Sequence, residues 1–308
     1  MKKIIELMND TKSNTYNTNF KLSLRNKIYH YSYMTNLKYG NTDSYFLPSE
    51  DGKLFYNKLN ENSIFRKIAT VEDNFYHEEE IMTTTNKTLA EFIPFGEPIP
   101  IYDALDDVST IKVKSKKLAI CIRINADFVY DKNYDLETNL YNKFAYAISH
   151  REDMAFTIGN GITEPCGILN KDKGAIISHQ TSMLTYDDIV RLYFSVDKKY
   201  REQGTFMMND ETAYVLRTLK DSNGNYIWNH INDTILSKKV IINNYMPNDK
   251  AIVFGDFSHY YIINKRPFSI KTLQELFAKY CQIGYIGFEF IDGVLTDRNA
   301  VKYLEIKK

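Results

Sequence analysis

Cysteine is scarce: Cys121, Cys166 and Cys281 are the only three in 308 residues. Three widely spaced thiols form neither a disulfide framework nor a zinc pattern, and a reducing compartment follows. Long apolar runs are missing as well. None reaches the roughly 18–20 residues of a membrane helix. The opening MKKIIELMNDTKSN stops being apolar at Met8, too early for a signal peptide. The chain is therefore expected to be soluble and cytosolic when made. An excess of charge is also absent, with 39 basic against 39 acidic side chains. That argues against a dedicated nucleic-acid binder. It leaves little repulsion between copies and so eases self-association. The histidines His30, His77, His150, His179, His230 and His259 are scattered with no i,i+4 pair, so no metal site is expected. Apolar residues make up 44% of the chain, which is enough for a core and excludes wholesale disorder.

The charges are unevenly spread. Residues 1–40 hold seven Lys/Arg against two acids and show little periodicity, which predicts a mobile basic arm. Residues 72–111 hold ten Asp/Glu and one lysine, Lys87. They include AEFIPFGEPIPIY, where Pro94, Pro98 and Pro100 exclude helix. An acidic stretch of this length is too long for an ordinary connection. Its flanks read as strands. YHEEEIM puts Glu78 and Glu80 on one face, and IKVKSKKLAICIRIN puts Lys112, Lys114 and Lys116 on one face. Pairing these strands would set opposite charges against each other. An isolated two-stranded arm is marginal in water. One with Phe92, Ile93, Phe95 and Ile99 near its tip needs a surface to lie on, such as another copy of the chain.

Residues 135–158 give the clearest helix. Leu136, Leu140, Phe144, Ile148, Ala155 and Ile158 recur at steps of three, four or seven, with Asp135 as N-cap. LTYDDIVRLYFSVDKKYREQ reads as a second helix, with Thr185 and Asp188 in capping-box positions. GTFMMND reads as a buried strand, ETAYVLRTLKD as a short helix and SNGNY as a turn. KKVIINNYMP, AIVFGDFSHYYIIN, AKYCQIGYIGFEFIDG and AVKYLEIK read as strands. Without regular βαβ alternation, the class is α+β with mostly antiparallel strands.

Candidate chemistry is thin. Gly159 and Gly161 follow a helix, and the next glycine, Gly167, lies six residues on, so this is no dinucleotide cradle. Gly159 at the C′ position, with Asn160 and Gly161 continuing the turn, reads as a helix stop. Pro165 and Gly167 then redirect the chain. Cys166 has no neighbouring base in the sequence, and reads as a small half-buried residue. The acidic run Glu78–Glu80 reads as solvated or paired across an interface. No catalytic residue, cofactor or metal ligand is assigned. A cytosolic enzyme with its site at Cys166 or the acidic loop is the alternative in another class.

The order of motifs carries a resemblance. ENSIFRKIATV (61–71) is followed by REDMAFTIGNGITEPCGIL (151–169), LTYDDIVRLYFSV, FMMNDETAYVLRTLKDSNGNYIW (206–228), NNYMP and IVFGDFSHYYI (252–262). From about Gly40 to the C-terminus the chain resembles the major capsid proteins of tailed bacteriophages, whose fold is named after phage Hong Kong 97. The resemblance implies an N-terminal arm at 1–71 and an extended two-stranded E-loop at 72–118. It implies a peripheral domain at 119–169 and 266–295 with the spine helix 135–158, and an axial domain at 170–265 and 296–308. It implies a shell subunit with no catalytic site and no cofactor, assembled as hexamers and pentamers around double-stranded DNA. Portal, scaffolding and maturation-protease proteins would be its partners, and the virion its location after assembly in the host cytoplasm. Glu78, Glu80, Phe92, Ile93, Phe95, Lys112, Lys114 and Lys116 would make contacts between subunits.

Two departures follow. About 40 residues precede the matching region, so scaffolding is expected from a separate protein, or the sequence is a processed or short form. Residues 88–111 contain no lysine, so covalent cross-linking through the E-loop is not expected. Encapsulins share the fold, but these motifs look like the phage branch.

Overall fold

The computed structural model describes residues 14–25, 45–73, 80–84, 90–99, 101, 108–221, 223–229, 231–249 and 252–307. Its first element corrects, at 14–25, the reading of 1–40 as a mobile arm, the rest of which lies outside the described residues. Asn14–Leu24 form helix α1, with Tyr16, Phe20 and Leu24 buried at steps of four. The Tyr16 hydroxyl donates to the Phe46 carbonyl at 2.6 Å, and the Tyr285 hydroxyl donates to the Leu24 carbonyl at 2.7 Å. Arg25 closes the helix. It donates to the carbonyls of Val129, Asp131 and Tyr134 and to both carboxylate oxygens of Glu137. Tertiary packing thus orders a stretch whose Asn and Thr content disfavours helix.

After β1 (Tyr45–Phe46), helix α2 (Ser49–Asn62) carries Glu50 and Asp51 in its first turn, where the helix dipole favours them. It buries Phe55 and Leu59. A 3₁₀ turn (Phe65–Lys67) leads into β2 (Thr70–Asp73). The hairpin β3 (Glu80–Thr84) and β4 (Val108–Lys112) follows. Then come β5 (Lys116–Asn125), α3 (Ala126–Tyr130) and the 23-residue helix α4 (Leu136–Ile158). At 1.5 Å per residue α4 runs about 35 Å. Asp135 is its N-cap and accepts from the Thr138 amide, as its position in the sequence suggests.

The remaining elements are β6 (Ile176–Thr181), α5 (Tyr186–Ser195), α6 (Lys198–Arg201), β7 (Thr205–Met208) and α7 (Asp210–Thr218). They continue through β8 (Trp228–Asn229), β9 (Thr234–Ile235), β10 (Lys238–Ile242) and β11 (Ile252–Gly255). The chain closes with β12 (Tyr260–Leu273), β13 (Gln282–Leu295) and β14 (Val301–Ile306). The expected capping box of α5 is present, with Thr185 and Asp188 satisfying each other's backbone amides.

One sheet runs β1-β12-β13-β5, with β2 added in parallel against β12. A second runs β6-β14-β11-β7-β10-β9-β8, and β3-β4 stand apart as a hairpin. Most pairs are antiparallel, and β10-β7, β12-β2 and β14-β6 are parallel. Two cores result. Phe156, Phe206, Phe254, Ile252 and Leu304 centre one on the second sheet. Phe20, Phe55, Leu140, Phe144 and Tyr285 centre the other around α4. The β12–β13 ribbon joins them, giving Ile262 and Ile291 to the first and Phe268 and Ile283 to the second. The anticipated boundary at 265/266 falls inside β12, where the pairing register shifts around Arg266.

Candidate assembly surface: a hairpin arm rooted by buried charge

The motif at 151–170 ends α4 and turns the chain back along it. The amides of Ile168 and Leu169 donate to the carbonyls of Phe156 and Thr157, which the helix itself leaves open. This return is so tight that glycine is required on both sides. A Cβ at Gly159 would lie 2.1 Å from the Pro165 carbonyl oxygen, and one at Gly167 would lie 2.4 Å from the Gly159 nitrogen. The helix stops at Gly159 as expected, but Gly159 is the C-cap itself and not the C′ residue. Its φ is −58°, and close backbone approach is what excludes a side chain there. The left-handed residue is Gly161, at φ 72°.

Glu152 and Asp153 of the same motif are buried. Glu152 accepts from Arg66 Nε at 2.7 Å and from Arg66 Nη2 at 2.6 Å. Asp153 accepts from the Ser63 hydroxyl and from the amides of Ile64 and Phe65, so it caps the 3₁₀ turn from a distance. Burial raises the Asp153 carboxyl, and these three bonds work against that rise. Arg66 Nη2 also donates to Asn264 Oδ1 at 3.3 Å, and Asn264 Nδ2 donates to Asp73 at 2.8 Å. The strand that leads out to the hairpin is thus tied to α4 and β12 by charge and hydrogen bonds.

The returning strand is tied in the same way. Asp292 accepts from the Lys116 ammonium and, at 2.8 Å, from the Lys114 amide. Lys116 and Asp292 are both buried. This corrects the placement of Lys116 on a surface between subunits, because its charge is spent inside its own subunit. Lys114 is exposed. The sequence signal for the acids was available in part. Glu152 continues the apolar steps of four from Phe144 and Ile148. Glu289 and Asp292 sit in an otherwise apolar strand and were not singled out.

Beyond these roots the hairpin pairs Glu80 with Lys112 and Ile81 with Ile111. Glu80 and Lys112 face each other at 3.9 Å, as the charge pattern implied, but both are exposed. Such a pair contributes at most a few tenths of a kcal/mol to 1 kcal/mol. The hairpin's base packs Ile81 and Ile111 on Val113, Ile263 and Val294. Glu78 lies outside the described residues. At the tip Phe92 and Phe95 are fully exposed, Ile99 and Ile101 nearly so, and Ile93 is half-buried. Gly96, at φ 94°, turns the chain there.

The geometry offers little to the enzyme alternative. Cys166 is buried, which pushes its thiol up, and its Sγ reaches only the Gly167 carbonyl at 3.9 Å. A thiol held protonated is a poor nucleophile. His150 hydrogen bonds Tyr245 and packs on Tyr146. A cavity of about 220 Å³ beside the motif is lined by Lys117, Arg151, Thr163 and Glu164, and Cys166 does not line it. Among the described residues no group of three His, Cys, Asp or Glu side chains is placed to hold a metal. No described helix is long and apolar enough to cross a membrane.

The model of the phage capsid family matches residues 43–306. The chain belongs to the phage capsid family. No curated protein sequence matches it. Among solved structures, it is similar to the capsid of an empty GTA particle, at 23% identity and a TM-score of 0.64, over 80% of this chain and 90% of that one. It is similar to Gordonia phage Cozz at 11% identity and 0.59, over 80% and 87%. It is similar to a virus-like particle from Pyrococcus furiosus at 11% and 0.53, over 83% and 98%. The fold is the α+β, Hong Kong 97-like capsid fold. As a phage capsid protein the chain is a structural subunit of a shell. The long helix, the detached hairpin and the tight return at 159–167 are its architecture, with the glycines serving backbone geometry.

Proposed function

We propose that this chain is the head subunit of a tailed phage or prophage, which closes into an icosahedral shell of hexamers and pentamers around double-stranded DNA. The observation that carries this reading is the arm. Its roots are fixed by buried charge, while its tip presents Phe92, Phe95, Ile99 and Ile101 to solvent. Exposed apolar groups on a fixed lever mark a contact with another molecule, and a copy of the same subunit is the partner that repeats around a shell. Glu80, Phe92, Ile93, Phe95, Lys112 and Lys114 are assigned to that contact, together with Glu78. The half built on the seven-stranded sheet would be axial, and the half around α4 peripheral. The acidic arm against a neighbour's basic surface would set register more than affinity.

The basic residues of 1–40 outside helix α1, Lys2, Lys3, Lys12, Lys27 and Lys38, would face DNA or scaffold through charge alone. Portal and scaffolding or protease proteins would complete assembly in the host cytoplasm, and the mature subunit resides in the virion. Light scattering on the purified full chain, co-expressed with a scaffolding protein, tests the reading. The expected mass is that of capsomers or shells. A persistent monomer or dimer would overturn it.

A further inference from the structure

Glu289 sits on β13 with 2% of its surface exposed, and its Oε1 has no hydrogen-bond partner in the described structure. It lies against Glu152, both of whose carboxylate oxygens are held by Arg66. Two carboxylates and one guanidinium in a dry pocket leave one negative charge uncompensated, which is costly. The other groups facing Glu289 do not supply the missing positive charge. Tyr56 of α2 is neutral and accepts from the Phe268 amide. Across the sheet, Leu118 of β5 is the register partner of Glu289. On the β12 side, Arg266 stacks over the Phe290 ring, with its charge 4.7 Å from the ring centre.

We propose that Glu289 and Glu152 share a single proton, and that losing this proton releases the outgoing root of the hairpin arm from helix α4. With the proton in place, the Glu289 hydroxyl donates to the Glu152 carboxylate, and Arg66 neutralises the remaining charge. When it leaves to solvent, the two carboxylates repel, and Arg66 is the one cation between them. The element that yields is the 63–73 segment, whose charged and side-chain hydrogen-bond ties to α4 and β12 run through Arg66, Ser63 and Asp73, leaving the β2–β12 pairing and the buried Phe65 to hold it. Burial and the Glu152 charge hold the Glu289 carboxyl well above the usual glutamate range, in agreement with this arrangement. The sign follows. A raised native value means that the closed root is fully stabilised below the ordinary glutamate value, about 4.3, and weakens as pH rises toward the native one.

Hydrogen exchange of the full chain, corrected for the chemistry of exchange, tests the latch. Opening at 63–73 should rise about tenfold per pH unit in the wild type, the slope for one released proton. In Glu289→Gln, which keeps the shape and a donor without the ionisation, it should be flat. The same slope in both proteins would overturn the proposal. So would protection at 63–73 that falls only together with the whole chain. If Glu289→Gln fails to fold, the wild type alone decides. An infrared band of a buried protonated carboxyl that persists above the ordinary glutamate value, about 4.3, and is lost with protection at 63–73 as pH rises further, is expected. A band that disappears at the ordinary glutamate value contradicts the shared proton.

Discussion

Arg66 grips Glu152 across 86 residues of sequence, with both side chains removed from solvent. The pair links the turn that launches the arm to the helix that spans one core. Replacing Arg66 with Met leaves Glu152 buried without its partner, and a loss of about 3–5 kcal/mol is expected. Urea unfolding of the unassembled chain measures it. Replacing Arg66, Glu152 and Glu289 together by neutral residues of similar size should cost much less, because no charge is then stranded.

The return after α4 makes a second prediction. Gly161→Ala places a side chain at a left-handed residue and should cost about 1–2 kcal/mol. Gly159→Ala should cost more, since its Cβ would meet backbone atoms at 2.1 and 2.4 Å that cannot yield locally. Denaturant midpoints and soluble yield rank the two. Equal costs would mean that the return is looser than described.

Much of this frame is legible in the sequence, and its gaps have physical causes. The α4 span, its Asp135 cap and the Thr185–Asp188 box follow from local chemistry, which the chain writes within a few residues. The opposite charges at Glu80 and Lys112 face each other in the hairpin's register, as their spacing suggests. Helix α1 was missed because Asn and Thr mask a three-residue apolar stripe. Lys116 was misplaced because its partner Asp292 lies 176 residues away and no local pattern points to it. Gly159 was assigned the right role for the wrong reason, since the chain that crowds it returns from Pro165.

Thr185→Ala removes half of the α5 capping box and should cost about 1 kcal/mol at neutral pH. Burial alone would raise the Asp188 carboxyl. Hydrogen bonds from Thr185 and the charge of His179 outweigh burial and hold it below the usual value. A depressed native value stabilises above the unfolded one, about 3.9, and that stabilisation is lost as pH falls through the native value. The cost of Thr185→Ala should therefore shrink in acid, which thermal melts at pH 7 and pH 3 would show.

Arg25→Ala removes the hydrogen bonds that fasten α1 to the α3–α4 connection. Bonds to a charged group each contribute about 1.5–3 kcal/mol. Limited proteolysis should cut within 14–25 at least tenfold faster in the variant, with the rest of the chain unchanged. Equal rates would mean that Tyr16, Phe20 and Leu24 alone hold the helix.

The most direct test of the account is electron microscopy of the full chain, co-expressed with a scaffolding protein, beside a variant carrying Phe92→Ser, Ile93→Ser and Phe95→Ser treated in the same way. The wild type is predicted to form closed shells. The variant is predicted to keep the wild-type circular dichroism and to form none. Shells from both proteins, or an unfolded variant, would contradict the assignment of the arm tip as the contact that builds the shell.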